Sequence, residues 1–313
     1  MSIRISKVIC ALGAFALVLS LMVGCSPSAG EANSAFDGDK AFALLKKQVD
    51  IGPRYPGVPG HEACGDLIVS QLKPLADDVS VQEFRQTVAG KDLTLRNIVA
   101  VFNKDAKQRI ILAAHWDTRP VADMEIDASK RSKPILGAND GASGVAVLLE
   151  LARVFSQHKP NVGVMLVFFD GEDYTPNPPT SEDMFLGSKY FAKNLDSKIK
   201  SQVKYGILLD MVGDKSLDIA KETQSVVAAP EVVKNVWEMA DSLGYGKHFV
   251  ANQISISDDH IPLIRSGIKC IDVIDFNYGP WHTLDDTTDK CSRESLKIVG
   301  DVIAHVVYKE SAS

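Results

Sequence analysis

The chain carries no run of lysine or arginine that could track a phosphate backbone, which excludes nucleic acid as a partner. It also lacks an apolar stretch of the ~20 residues that a membrane-spanning helix requires. Val8 to Val23 is the nearest approach and is too short. No internal repeat and no long low-complexity tract occurs. Cysteine is scarce, five in 313 residues, and no spacing suits a cysteine-ligated zinc. The Gly-x-Ser-x-Gly elbow, the Walker Gly-Lys-Ser/Thr and the helical His-Glu-x-x-His are all missing. Gly137 to Gly144 has the wrong glycine spacing for a dinucleotide loop and does not directly follow a strand. What remains is ordinary globular composition, 45% hydrophobic and 24% charged, long enough for one large α/β domain.

The N-terminus reads as a leader. Arg4 and Lys7 precede the apolar run, which ends at Gly24-Cys25 in the layout of a secretory signal. Leu21-Met22-Val23-Gly24-Cys25 resembles the lipobox of bacterial lipoproteins, with Met22 where Leu is usual. That resemblance implies removal of residues 1–24, a lipid on Cys25 at the periplasmic side and, with Ser26 rather than Asp beside it, the outer membrane. A cleaved, soluble periplasmic protein is the alternative. Residues 25–37, rich in Ser and Ala, read as a tether, and 38–313 as the folded domain. Without Arg4 and Lys7 the formal charge moves from −6 to −8, from 32 basic against 40 acidic residues. Cys64, Cys270 and Cys291 remain, and an odd number leaves at least one unpaired.

Three short, largely apolar segments organise the rest: Arg109 to Ala114, apolar from Ile110, Val164 to Phe169 and Tyr205 to Leu209. Runs of this kind fit strands covered on both faces. Ile268 to Ile274 reads as a further strand, Val226 to Ala229 as another, and Val79–Val88 with Leu93–Phe102 as an edge pair. Helices are expected at Ala41–Val49, Ala63–Leu75, Val145–Phe155, Gly187–Leu195, Glu231–Leu243 and Glu294–Tyr308. Gly52 to Gly60, with three prolines and three glycines, reads as an ordered loop, and Tyr174 to Met184 as a Pro-rich one. Strands alternating with helices predict one α/β domain: a mostly parallel twisted sheet, antiparallel edge strands, and helices on both faces.

The chemistry gathers at the strand ends. His115, Glu172-Asp173 and Asp210 each fall at or just past the carboxyl end of a buried-type strand, where open α/β sheets place their ligands. Asp140 starts a helix after a Gly-bearing loop, and His282 follows the Ile268–Ile274 strand. Each alone has an ordinary reading: a satisfied polar group, a solvated acidic turn, a helix N-cap or a surface histidine. Together they are two imidazoles and four carboxylates aimed at one sheet edge. Like charges so placed raise one another's pKa values unless a cation lies among them. Mixed His and carboxylate donors suit zinc with an open catalytic position.

His115-Trp116-Asp117, Gly137-Ala138-Asn139-Asp140, Glu172-Asp173, Leu209-Asp210-Met211-Val212-Gly213 and Trp281-His282-Thr283 resemble, in order, the motifs of the M28 zinc aminopeptidase superfamily. The likeness covers roughly residues 38–310. Ile51-Gly52-Pro53-Arg54, Pro56-Gly57-Val58-Pro59-Gly60, Asp258-Asp259-His260-Ile261-Pro262 and Trp281 before His282 resemble the glutaminyl cyclases, notably the bacterial lipoprotein type.

The resemblance implies an α/β/α sandwich in which Asp140, Asp173 and His282 hold one zinc. It makes Glu172 the proton shuttle, Asp210 and Asp258 a hydrogen-bonded acidic pair beside it, and Trp281 a wall of the substrate pocket. Two departures from animal cyclases stand out: the second acid is Asp173 where Glu is common, and Tyr174–Met184 lacks their tryptophan. The implied substrates are N-terminal segments of peptides or exported proteins, with a monomeric enzyme meeting the membrane only through Cys25. In the rival aminopeptidase, His115 and Asp210 bind a second zinc that Asp140 bridges, and Glu172 deprotonates a water. A non-catalytic peptide-binding lipoprotein of this fold would be expected to have lost ligands or the shuttle acid, and this chain keeps them all.

Overall fold

The computed structural model describes residues 36–174 and 183–311. The leader, nearly all of the tether and most of the Pro-rich loop expected after Tyr174 lie outside the described residues.

Helix α1, Gly38–Ile51, opens on Asp37, whose side chain accepts from the amides of Asp39 and Lys40. Helix α2, Pro59–Leu72, begins four residues before the expected start, because Pro59 occupies the first turn, where a missing N–H is not needed. Strands β1, Asp78–Val88, and β2, Lys91–Phe102, form the antiparallel edge pair. Then come β3, Arg109–His115, α3, Ala142–Gln157, β4, Gly163–Phe169, α4, Leu186–Asn194, and α5, Ser197–Ser201. The order continues through β5, Val203–Asp210, β6, Ile219–Glu222, α6, Thr223–Ala228, α7, Pro230–Ser242, and β7, Phe249–Ile254. Helix α8, His260–Arg265, β8, Cys270–Ile274, and α9, Arg293–Lys309, close the chain.

Among the described residues the main sheet runs β1-β2-β4-β3-β5-β8, parallel from β4 to β8 and antiparallel at β1 and β2. Strand alternation sorts its side chains into two layers. Ile110, Leu112, Leu166, Phe168, Ile207 and Val273 face the larger core, with residues of α1, α3 and α9. Ile111, Ala113, Val167, Phe169 and Leu208 face the other side, against Phe191 of α4 and Leu263 of α8. This is the expected mostly parallel sheet with helices on both faces.

One expected strand is corrected. Val226 to Ala229 belongs to α6 and the start of the next turn, because Glu222 caps that helix through the amides of Gln224 and Ser225. The local cap overrides the strand preference of two valines. The strand nearby is β6, which pairs in parallel with β7 in a separate two-stranded sheet.

The register brings the site together. His115 is opposite Phe169 across β3 and β4, and Asp210 is opposite Ile274 across β5 and β8. Ala113 is opposite Leu208, so β3 and β5 also end level. All four parallel strands therefore release their loops at the same rim.

Candidate active site

The ends of β3 and β5, the turn after β4, and the loops before α3 and after β8 deliver the site's donors to that rim. His282 Nε2 lies 3.2 Å from Asp173 Oδ1 and 3.4 Å from Asp140 Oδ2. One donor atom from each of Asp140, Asp173 and His282 falls within 4.8 Å of the others, a spacing that could hold an ion. All three side chains are buried, and Asp173 Oδ2 has no hydrogen-bond partner. Two desolvated carboxylates facing one imidazole, with an acceptor left over, fit a divalent cation. His115, Asp140 and Asp210 form a neighbouring group of the same span, with Asp140 common to both. His115 Nε2 is 3.0 Å from Asp140 Oδ1 and 3.2 Å from Asp210 Oδ1.

Electrostatics follow the geometry. Burial disfavours the His282 imidazolium, but Asp173, Asp123 and Asp140 outweigh it and raise its pKa to about 11. Burial likewise acts against ionised Asp140, yet His115 and His282 hold it well below the usual carboxylate range. Glu172 goes the other way: burial first, then the Asp173 charge, push it well above its ordinary value. Burial and Asp210 raise Asp258 to about 7. A group whose pKa has been raised out of the acidic range, beside a candidate ion site, is suited to moving protons near neutrality.

Gly141 occupies the N-cap of α3, and the Asp140 carboxylate turns to the two histidines. Gly141 is required there, since a Cβ would lie 2.4 Å from His115 Nε2. Asp210 Oδ1 pairs with His115 Nε2, while Asp258 Oδ1 accepts from the Asp259 amide and its Oδ2 is buried without a partner. Behind Asp258, His260 Nε2 meets Glu222 at 3.1 Å.

Buried residues with no assigned role in the sequence hold this constellation. Asp117 accepts from the amides of Glu172 and Asp173, both at 3.1 Å, and so fixes the turn after β4. Asp286 does the same for Asn139 and Asp140, at 2.8 and 3.2 Å, and also accepts from the Tyr278 hydroxyl. Arg54 is wholly buried and donates to the carbonyls of Trp116, Leu136 and Gly137. It thereby joins the loop after β3 to the loop that carries Asp140, which gives the Gly-Pro-Arg segment its place in the fold. Asp123 and Arg119 border His282 and Asp173.

The rim encloses a cavity of about 390 Å³. Glu172, Asp173, Asp210 and Asp258 line it together with Ile256, Phe276, Trp281 and Met184. Trp281 stacks on His282 with ring centres 3.9 Å apart and meets Phe276 edge-on at 4.9 Å. An acidic, ion-competent end therefore faces an apolar wall, as in sites that orient one polar group of a small substrate.

The sequence profile of Peptidase family M28 matches residues 97–307. The crystal structure of Bacteroides thetaiotaomicron glutaminyl cyclase bound to N-acetylhistamine is 39% identical, with a TM-score of 0.84 over 88% of this chain and 99% of that one. A leucine aminopeptidase precursor from Bacteroides thetaiotaomicron is 40% identical, with a TM-score of 0.84 over 88% and 98% of the two chains. Glutaminyl-peptide cyclotransferase of Drosophila melanogaster is 26% identical, over 82% of this chain and 78% of its own length.

Proposed function

The chain belongs to peptidase family M28, and from that membership we propose a zinc-dependent glutaminyl-peptide cyclotransferase, which converts N-terminal glutamine to pyroglutamate and releases ammonia. The observation that carries this reading is the placement of Asp258 and Trp281 on the cavity that holds Glu172.

Asp140, Asp173 and His282 would hold the zinc, which when bound polarises the substrate's γ-amide carbonyl. The rest falls to the chain itself. Trp281 and the apolar wall orient the glutamine so that its own α-amine faces Cδ, the carbonyl carbon of the side-chain amide, an intramolecular approach in which orientation supplies much of the rate. A bond forms from the α-nitrogen to the carbonyl carbon Cδ of the side-chain amide, the bond from Cδ to the amide nitrogen breaks, and the five-membered lactam closes. Glu172 accepts the proton from the amine and returns it to the departing ammonia. Its raised pKa fits both halves of that task. Asp210 and Asp258 set the field around Glu172 by their charge.

The second reading is a zinc aminopeptidase. The observation that favours it is the His115, Asp140 and Asp210 group, which could take a second ion. Incubation with a Gln-initiated and a Leu-initiated peptide separates the two. Ammonia and a product lighter by one ammonia support the cyclase, free leucine supports the peptidase, and zinc per chain (one against two) provides an independent check.

The proposal extends to place and partners. The enzyme is exported, carries a lipid on Cys25 and acts as a monomer at the periplasmic side of the outer membrane on exposed glutaminyl N-termini. The leader layout and lipobox-like run support this, and no described helix is long and apolar enough to cross a membrane. A Cys25→Ser chain that still sediments with membranes would overturn the anchor.

A further inference from the structure

His282 has φ 54, in the left-handed region that side chains with a Cβ disfavour. A residue held there needs its neighbours to fix it. The segment 119–125, in the loop after β3, does so from both sides. The Met124 amide donates to the His282 carbonyl at 3.2 Å, and Glu125 Oε1 accepts from the Leu284 amide at 2.9 Å. The histidine backbone is thus bracketed before its side chain is considered.

The side chain is held by the same segment. His282 Nδ1 is 3.4 Å from Asp123 Oδ1. Arg119 grips that carboxylate with two parallel bonds, Nε to Oδ1 at 2.9 Å and Nη2 to Oδ2 at 2.8 Å. Arg119 Nη1 continues to the Asp173 carbonyl at 3.4 Å and lies 3.6 Å from Asp173 Oδ1. The path His282–Asp123–Arg119–Asp173 therefore ties together two of the three donors around the candidate ion position. Once an ion takes the place of the Nε2 proton, an imidazole that donates Nδ1–H to a carboxylate presents its Nε2 lone pair on the other side. Nε2 is the atom that faces Asp140 and Asp173.

We propose that residues 119–125 act as a strap, with Asp123 as a positioning residue that presets the tautomer and orientation of His282, and Arg119 as the bridge that locks Asp173 into the same unit. The strap rests on reading Asp140, Asp173 and His282 as the zinc site. It adds that affinity for the ion is built by groups that never touch it.

The test measures zinc alone, by competition with a chromophoric chelator, on the full-length chain. Asp123→Asn is expected to weaken zinc binding by roughly 10- to 100-fold, a larger effect than loss of the Arg119 ion pair has on the metal-free protein, whose thermal unfolding is followed alongside. Asp123 is partly exposed, its side chain 22% accessible, so the variant should fold. Arg119→Lys keeps the charge but cannot span Asp123 and Asp173 together, and should give an intermediate loss. The absorption spectrum of the cobalt-loaded Asp123→Asn protein should also differ from wild type, because His282 is no longer held in one orientation. Zinc affinity within twofold of wild type, or a fall in metal-free stability that matches the loss of affinity, overturns the strap. A wild-type chain that binds no zinc, or a His282→Ala chain that binds it normally, overturns the zinc reading itself.

Discussion

Asp117→Asn tests whether the turn that presents Glu172 and Asp173 is held by one buried carboxylate. The wild-type side chain is fully buried and spends one oxygen on each of two successive amides, both at 3.1 Å. Asparagine keeps one carbonyl oxygen and turns an NH₂ towards the other amide, so one bond is lost and donor faces donor. A hydrogen bond to a charged acceptor contributes about 1.5–3 kcal/mol, and a stranded buried donor costs about 1–3 kcal/mol. The variant should therefore lose roughly 2.5–6 kcal/mol of stability, a large part of the margin of an ordinary domain. The turn would relax away from the amide that has no acceptor. A displacement of about 1 Å at catalytic groups costs on the order of 100-fold in rate. Urea unfolding followed by circular dichroism gives the first quantity, and ammonia release from a Gln-initiated peptide, well below the unfolding transition, gives the second. A variant with the wild-type urea midpoint and turnover would refute the clamp, since both amides would then have found other acceptors.

Glu172→Gln should keep fold and zinc while turnover falls by about 100- to 10,000-fold, the range of a lost general acid-base group; activity near wild type would remove Glu172 from proton transfer. Trp281→Ala should raise KM with a smaller change in kcat, and an unaltered KM would count against a pocket wall. Asp258, pushed up to about 7, is neutral below that pH and anionic above it. The added charge above pH 7 further disfavours ionised Glu172, so the kcat profile should bend near pH 7. Asp258→Asn, neutral throughout, should remove the bend, and a profile still bent there would assign it to another group.

The buried strands were legible because a sheet covered on both faces needs uninterrupted apolar runs, and β3, β4 and β5 supply them. The donors were legible for a related reason: few folds aim acids and imidazoles at one rim without a use for them. Polar strands β6 and β7 were not, because Ile219–Glu222 and Phe249–Ile254 carry little apolar pattern. Nor were the residues that hold the donors. Asp117 meets its partners 55 and 56 positions away, and Asp286 meets its own 147 and 146 away. A carboxylate that accepts backbone amides looks, in sequence, like any aspartate in a loop. The tertiary register that gives it a partner is set elsewhere.

Cys64, Cys270 and Cys291 are all buried and free, and burial drives each thiol above its ordinary range, Cys64 to about 11. The reactive species is the thiolate, so these sulfurs resist both oxidation and alkylation. A domain built this way needs no oxidant and no disulfide isomerase for these three cysteines. It should mature equally well under glutathione as outside the cell, and a reducing agent should leave its melting temperature where it was.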